Sequence, residues 1–248
     1  VNLVYKAWLE SRALFVTALL AAATFCVMVL TKARIEFPVP EYPTLSYSGF
    51  VWGQLYGSAV PGVFSVVAVL LGLGGLERER ARNLASFTLA LPVGRWQHLV
   101  ARTAVGMTEV MALACVPVAL IPLLSPALAH HSYPVASLAA FALLFISWGA
   151  IWLSVGVLWS TCLPSDRTTL LVALLTPFAY MLVYARVSDG GRRFFAANPF
   201  TFMSGVRHIQ PNTGLVVEPL PWLVMVGLIL VSVALVSLAI VVASRRSF

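Results

Sequence analysis

Long apolar runs, nearly free of charge, dominate this chain and leave it few ways to fold. Six stand out: Ala13–Leu30, Val51–Leu76, Leu99–Leu124, Val135–Leu158, Thr168–Tyr184 and Pro221–Val242. Each approaches or exceeds the roughly 20 apolar residues that a helix needs to cross a bilayer. Backbone groups in lipid must be paired within the segment, so runs of this length demand helices. A β-barrel would show alternating segments of about ten residues, and the sequence has none. Composition agrees. Of the 248 residues 60% are hydrophobic and 10% charged, against about 25% charged in an ordinary soluble domain. The expected fold is all-α: one polytopic transmembrane domain over residues 1–248 with six transmembrane helices.

The net charge is +7, yet the arginines cluster at the ends of the apolar runs. That placement reads as membrane orientation, not as a nucleic-acid surface. With the N-terminus inside, the inner side carries ten Lys and Arg residues and the outer side six, which favours both termini in the cytoplasm. The first apolar run lacks an A-x-A-like exit and is expected to remain as a span. Cys26, Cys115 and Cys162 are far apart and form no CxxC. Neither they nor the adjacent His130 and His131 have the spacing of a metal site.

Outside the spans, three segments carry information. Val1, Val4, Tyr5, Trp8 and Leu9 share one helical face, with Asn2, Lys6 and Glu10 opposite. Residues 1–12 therefore predict an amphipathic helix in the membrane interface, the alternative being a first span that starts early. In span 2, Gly53-x-x-x-Gly57, Gly72, Gly74 and Gly75 predict close helix packing. Pro61 and Pro117 predict kinks in spans 2 and 3. Between spans 5 and 6, residues 185–220 form a long outer loop. It is rich in Phe194, Phe195, Phe200, Phe202 and Met203. So apolar a loop predicts short helices that dip into the outer leaflet or cap the pathway, or simple anchoring there.

The stretch from Leu76 to Arg102 is the most charged part of the chain and lies on the inner side. Ala81–Leu91 can form a short helix with Leu84, Phe87, Thr88 and Leu91 on one face and Arg82 away from it. Pro92 ends it, Val93-Gly94 turns the chain, and Arg95 and Trp96 open the next span. A short helix held between two spans is placed to receive a push or pull from a partner. Here the chain resembles the permease subunits of type-two ATP-binding-cassette (ABC) exporters. The matching residues are Glu77 and Glu79, Leu89-Ala90-Leu91-Pro92-Val93-Gly94-Arg95, and Ala101-Arg102, together with Asn198-Pro199-Phe200-Thr201 in the outer loop. Where many members carry Gly-Thr after the acidic pair, this chain has Arg82-Asn83.

The resemblance implies an export function and a set of partners. Two permease copies, or one copy and a close paralogue, would pair in the inner membrane of a prokaryote. Each would dock on one of two ATPase subunits. Residues 77–95 would contain the coupling helix, with Glu77, Glu79, Arg82, Leu84, Phe87, Leu91, Pro92 and Arg95 in the ATPase contact. Asp166 and Arg167, between spans 4 and 5, would add a smaller contact or merely cap a helix. Phe194, Phe195, Asn198, Pro199 and Phe200 would belong to an outer gate. ATP and Mg would sit on the partner, because this chain has only Lys6 and Lys32 and no Gly-Lys-Ser/Thr. The chain is thus expected to be no enzyme by itself and to bind no nucleic acid.

Glu109 stands alone within span 3. A mid-membrane carboxyl costs roughly 2.5–3.5 kcal/mol, so it is expected to face a cavity, a partner or a polar neighbour. It either meets a polar or cationic substrate or serves a proton-linked switch, or it is a protonated Glu bonded to a nearby Ser or Thr. The alternative functions are a secondary transporter or channel without ATPase, and an intramembrane hydrolase. The first would show a second buried charge or a broken span; the second would place a nucleophile and a histidine at membrane depth. The apolar spans favour a small amphipathic or hydrophobic cargo, a lipid or a peptide over a long hydrophilic polymer.

Overall fold

The structure, a computed structural model, describes residues 3–37, 45–73, 95–163, 165–186, 199–210 and 212–245. The helices are α1 (Leu3–Glu36), α2 (Tyr47–Leu55), α3 (Val60–Leu73), α4 (Arg95–Leu128), α5 (Val135–Cys162), α6 (Asp166–Arg186), α7 (Pro199–Met203) and α8 (Trp222–Arg245). Four of them, α1, α4, α5 and α8, are long and apolar enough to cross a membrane. The pair α2 and α3, bent by 42°, makes a fifth if counted as one broken span. The remaining expected span, Thr168–Tyr184, lies within α6, a helix of 21 residues packed on α3 and α5. This is an all-α polytopic membrane protein with one small exception. Between α7 and α8, β1 (Ile209–Gln210) pairs antiparallel with β2 (Leu215–Val216), with Ile209 opposite Val216.

α5 is the hub. It packs against α3, α4, α6 and α8, while α1 lies on α4. Phe141, Leu138, Leu144, Leu153 and Val157 of α5 are buried, as befits a helix that is apolar on all sides. The outward faces of the peripheral helices are apolar as well: Leu20 is 60% exposed, Leu182 65% and Leu223 90%. Such faces suit lipid, not water. Lipid removes the hydrophobic drive between helices, so close approach and polar links must hold the bundle. Ser154 of α5 and Ser232 of α8 share a hydrogen bond of 2.6 Å, and Ser232 Oγ also donates to the Ala150 carbonyl at 3.0 Å. Trp159 Nε1 of α5 donates to Thr176 Oγ1 of α6 at 3.2 Å.

The tightest crossing is between α3 and α5. A Cβ on Gly72 would collide with the Leu153 carbonyl oxygen, and a Cβ on Gly156 with the Val69 carbonyl oxygen. Gly53, by contrast, has no neighbour within 4 Å of where its Cβ would be. Of the glycines expected to pack closely in span 2, Gly72 makes the crossing, against a glycine of another helix, and Gly53 does not.

Several expectations on element geometry change. The interfacial helix expected over 1–12 is not a separate element: from Leu3 onward it continues unbroken into the first span. No glycine or proline occurs between Leu3 and Glu36 to stop it. The result is a helix of 34 residues, about 51 Å at 1.5 Å per residue, longer than a hydrocarbon core of roughly 30 Å. The break in span 2 falls at residues 56–59, before Pro61. Pro61 lies in the first turn of α3, where its missing N–H costs nothing. α4 remains one helix despite Pro117, Pro122 and Pro126.

Helix directions put one set of chain segments at one end, here the basal end. Gly72 of α3 meets Gly156 of α5 there, and Leu99 of α4 clusters with Val157 of α5 and Ala239 of α8. The N-terminal turns of α1 lie beside Arg102 and Glu109 of α4. Hence the start of α1, the end of α3, the start of α4, the end of α5, the start of α6 and the end of α8 share the basal end. Substituting Gly156→Val should cost about 3 kcal/mol or more, because the valine must displace a backbone carbonyl. Gly53→Ala should be neutral or gain up to about 1 kcal/mol. Thermal unfolding of both variants in detergent checks the contrast.

Candidate functional site at the base of α3 and α4

Three helices bring polar groups together at the basal end. Glu10 and Ser11 come from α1, the Gly72 carbonyl from α3, and Arg102 and Glu109 from α4. On α4 the spacing is responsible: Arg102, Gly106 and Glu109 stand at i, i+4 and i+7 and share one face. Gly106 leaves room between the two charged side chains and admits Leu153, whose Cδ1 would lie 2.8 Å from a Cβ there. On α1, Ala7 is buried against the same recess, and its small side chain lets Glu10 and Ser11 reach α4.

The contacts are specific. Arg102 is 5% exposed, and its Nη2 donates to the Gly72 carbonyl at 3.0 Å. A residue without a side chain leaves that carbonyl open to a guanidinium from the next helix. Hydrogen bonds from charged groups contribute about 1.5–3 kcal/mol. Glu109 is 2% exposed, and Ser11 Oγ donates to its Oε1 at 2.5 Å. Among the described residues, Glu109 Oε2 has no hydrogen-bond partner. The recess that Glu10, Ser11, Arg102 and Glu109 line holds about 10 Å3, the space of a single water molecule. A substrate of any size does not fit there. The cluster is a latch: it fastens α1 to α4 through Ser11–Glu109, and α4 to α3 through Arg102–Gly72.

Of the alternatives for Glu109, a Ser or Thr neighbour is met by Ser11, which comes from the first span, packed against α4. Arg102 reads in the sequence as an inner-side charge at the start of a span; in the structure it is buried in the protein. Glu10 was read only as part of the polar face of the first helix, and Ser11 was not singled out by the sequence. The seven-residue spacing of Arg102 and Glu109 is the signal that points to a shared buried face.

The other expected site residues divide into three groups. Glu77, Glu79, Arg82, Leu84, Phe87, Leu91 and Pro92 lie outside the described residues, as do Phe194, Phe195 and Asn198. Arg95 and Asp166 are the first residues of α4 and α6, and Arg167 is exposed beside Asp166 at the basal end. The end of α3, the start of α4 and the start of α6 thus lie at the same end of the bundle. Pro199 and Phe200 open α7 at the opposite end. There Pro199 is buried, Phe200 lies beside Gly62 of α3, Phe202 packs edge-on against Trp148 of α5 at 6.1 Å, and Met203 is fully buried.

Among the described residues of the outer loop, α7 is a short helix of the kind expected there, and a hairpin follows it. Gly214 adopts φ +60° in the turn, which its missing Cβ permits. The hairpin is strapped down: Tyr133 Oη donates to the Gly214 carbonyl at 3.1 Å, and Ser48 Oγ donates to the Thr213 carbonyl. Trp52 Nε1 adds a bond of 2.8 Å to the Ser204 carbonyl. The described part of the outer loop is therefore docked on α2, α3 and α5.

No protein-family model matches this chain, and no curated protein sequence matches it.

Two measurements test the latch. A double-mutant cycle over Ser11→Ala and Glu109→Gln should return a coupling of about 1–2 kcal/mol in thermal unfolding. Arg102→Met opens the Gly72 carbonyl and takes the cation from a recess with two carboxyl groups. It should cost about 3 kcal/mol, with a visible rise in proteolysis of the α3–α4 connection.

Proposed function

We propose that this chain is the membrane-spanning subunit of an ATP-driven ABC exporter, with two copies or a close paralogue pair forming the pathway on two separate ATPase subunits. The observation that carries the reading is the segment Leu89-Ala90-Leu91-Pro92-Val93-Gly94-Arg95, preceded by Glu77 and Glu79 and set between two apolar runs. The proposed complex has six spans per chain, both termini in the cytoplasm and the basal end facing the ATPase.

The basal latch supports this reading mechanically. The two helices that flank the 77–95 segment are joined at its base by Arg102–Gly72, and α3 is seated on α5 at Gly72–Gly156. A displacement of the segment between them would therefore move α3 and α4 as a unit. The Ser11–Glu109 bond would carry that motion to α1. Packed interfaces switch between discrete arrangements, and a ligand shifts them only by its differential affinity for the two states. In this mechanism ATP on the partner subunit supplies that difference. Asp166 and Arg167, at the same end, supply the smaller second contact. α7 and its hairpin close the far end of the pathway.

The experiment is co-expression with the ATPase subunit, purification of the complex and transport in vesicles. The chain should co-purify with the ATPase and move cargo only with hydrolysable ATP. Glu77→Ala and Phe87→Asp should each lower ATP-driven transport at least tenfold; Glu77→Ala should leave the complex assembled. Transport driven at full rate by the chain without any ATPase would replace this reading with a secondary transporter or channel.

A further inference from the structure

One face of α1 is turned outward along the basal half of the helix. Tyr5, Trp8, Leu9, Arg12, Val16 and Leu20 follow the i, i+3, i+4, i+7, i+11 and i+15 spacing of a single helical face. All six are exposed, Tyr5 and Leu20 by 60% each. Five of them suit lipid or its interface, as the other outward faces of the bundle do. Arg12 is the exception: a permanently charged guanidinium with apolar and aromatic neighbours on both sides along the face.

Its own chain gives it no counter-charge. Among the described residues Arg12 takes part in no ion pair or hydrogen bond. Glu10, the nearest carboxyl in the sequence, stands about 160° away around the helix and lines the recess with Arg102 and Glu109. Lys32, further along α1, is by contrast paired with Glu36 at 3.6 Å. An unpaired cation among lipid-facing residues is costly, so the anion must come from outside the chain.

The surroundings define that anion. Residues 13–31, between Arg12 and Lys32, span about 29 Å at 1.5 Å per residue, close to the roughly 30 Å of a hydrocarbon core. Arg12 therefore stands where headgroups meet acyl chains. Val16 and Leu20 continue the face toward the bilayer centre. Side chains on a helix tilt toward its N-terminus, here the basal end, so the guanidinium is set on the side of Trp8 and Tyr5. Trp8 is held edge-on to Phe15 at 5.5 Å. Its indole N–H and the Tyr5 hydroxyl are neutral donors of the kind found at headgroup level. A guanidinium grips a phosphate group through paired N–H donors. An anionic phospholipid offers that phosphate, an uncompensated negative charge and acyl chains in one molecule.

We infer that Arg12, with Trp8 and Tyr5, is a binding site for an anionic phospholipid of the basal leaflet, its phosphate on the guanidinium and its chains along Val16 and Leu20. The site lies on one helix of one chain and needs neither an ATPase nor a second copy, so it goes beyond the export reading and stands or falls separately from it.

The test uses the purified full chain in detergent and two lipids of equal chain length, phosphatidylglycerol and phosphatidylcholine, each with a diazirine in one acyl chain. Phosphatidylglycerol should label residues 13–20 saturably, and about fivefold more than phosphatidylcholine, the weight of one basic residue at an anionic surface. Arg12→Gln should bring the two lipids level, Arg12→Lys should keep part of the preference, and Arg245→Gln, at the exposed end of α8, should keep all of it. Unfolding temperatures confirm that the variants fold; if Arg12→Gln does not, Arg12→Lys and the ratio on the unaltered chain decide. Equal labelling of residues 13–20 by the two lipids would overturn the site and leave Arg12 to an acidic group of another protein chain. A preference that survives Arg12→Gln, or is lost equally in Arg245→Gln, would overturn it as well.

Discussion

Everything in this bundle leans on the backbone contact of α3 with α5. In lipid, leucine on one helix gains little by leaving the solvent for another helix, so association rests on contact distance and on polar links. Gly72 and Gly156 supply the distance: each removes a side chain where the other helix presents a carbonyl oxygen. Once α3 is seated, its Gly72 carbonyl points to α4 and takes the Arg102 guanidinium. One glycine thereby serves two contacts, packing on one side and hydrogen bonding on the other. The remaining helices follow. α4 brings Glu109 to Ser11 of α1, and α5 brings Ser154 to Ser232 of α8.

The two ends of the bundle are built by different chemistry. At the basal end the links come from two buried ionisable side chains, Arg102 to the Gly72 carbonyl and Glu109 to the Ser11 hydroxyl, and they join α4 to α3 and to α1. At the far end the links are hydrogen bonds from side chains to loop carbonyls, and they hold a hairpin and a short helix against α2, α3 and α5. Between the ends lies the bend of α2 and α3, and beside it a largely apolar groove lined by α1, α3 and α4.

Helix character and approximate position were legible in the runs themselves, because lipid allows no other way to pair so many backbone groups. The detail of breaks was less legible. Span 2 is bent by 42°, as Pro61 led one to expect, with the break at residues 56–59 just before that proline; Pro117 lies inside α4. The hairpin at Ile209–Val216 escaped notice because its strands are two residues long, too short for alternation to register. In the candidate site, Glu109 was conspicuous as a lone carboxyl in an apolar run. Its partners were not, since Ser11 is 98 residues away in the chain and looks like any other serine.

The sequence by itself determined the class of this protein: long uncharged runs must be helices in a membrane, and their flanking arginines mark where the runs end. It also set the expectation that ATP would sit on a partner, since glycine precedes neither Lys6 nor Lys32. Tertiary structure alone decided which of many glycines makes the close crossing, that Arg102 is buried instead of solvated, and that a groove lies beside the bend of α2 and α3. Those outcomes depend on distances between segments remote in the chain. Local pattern records the face a residue occupies on its own helix, but not what stands opposite.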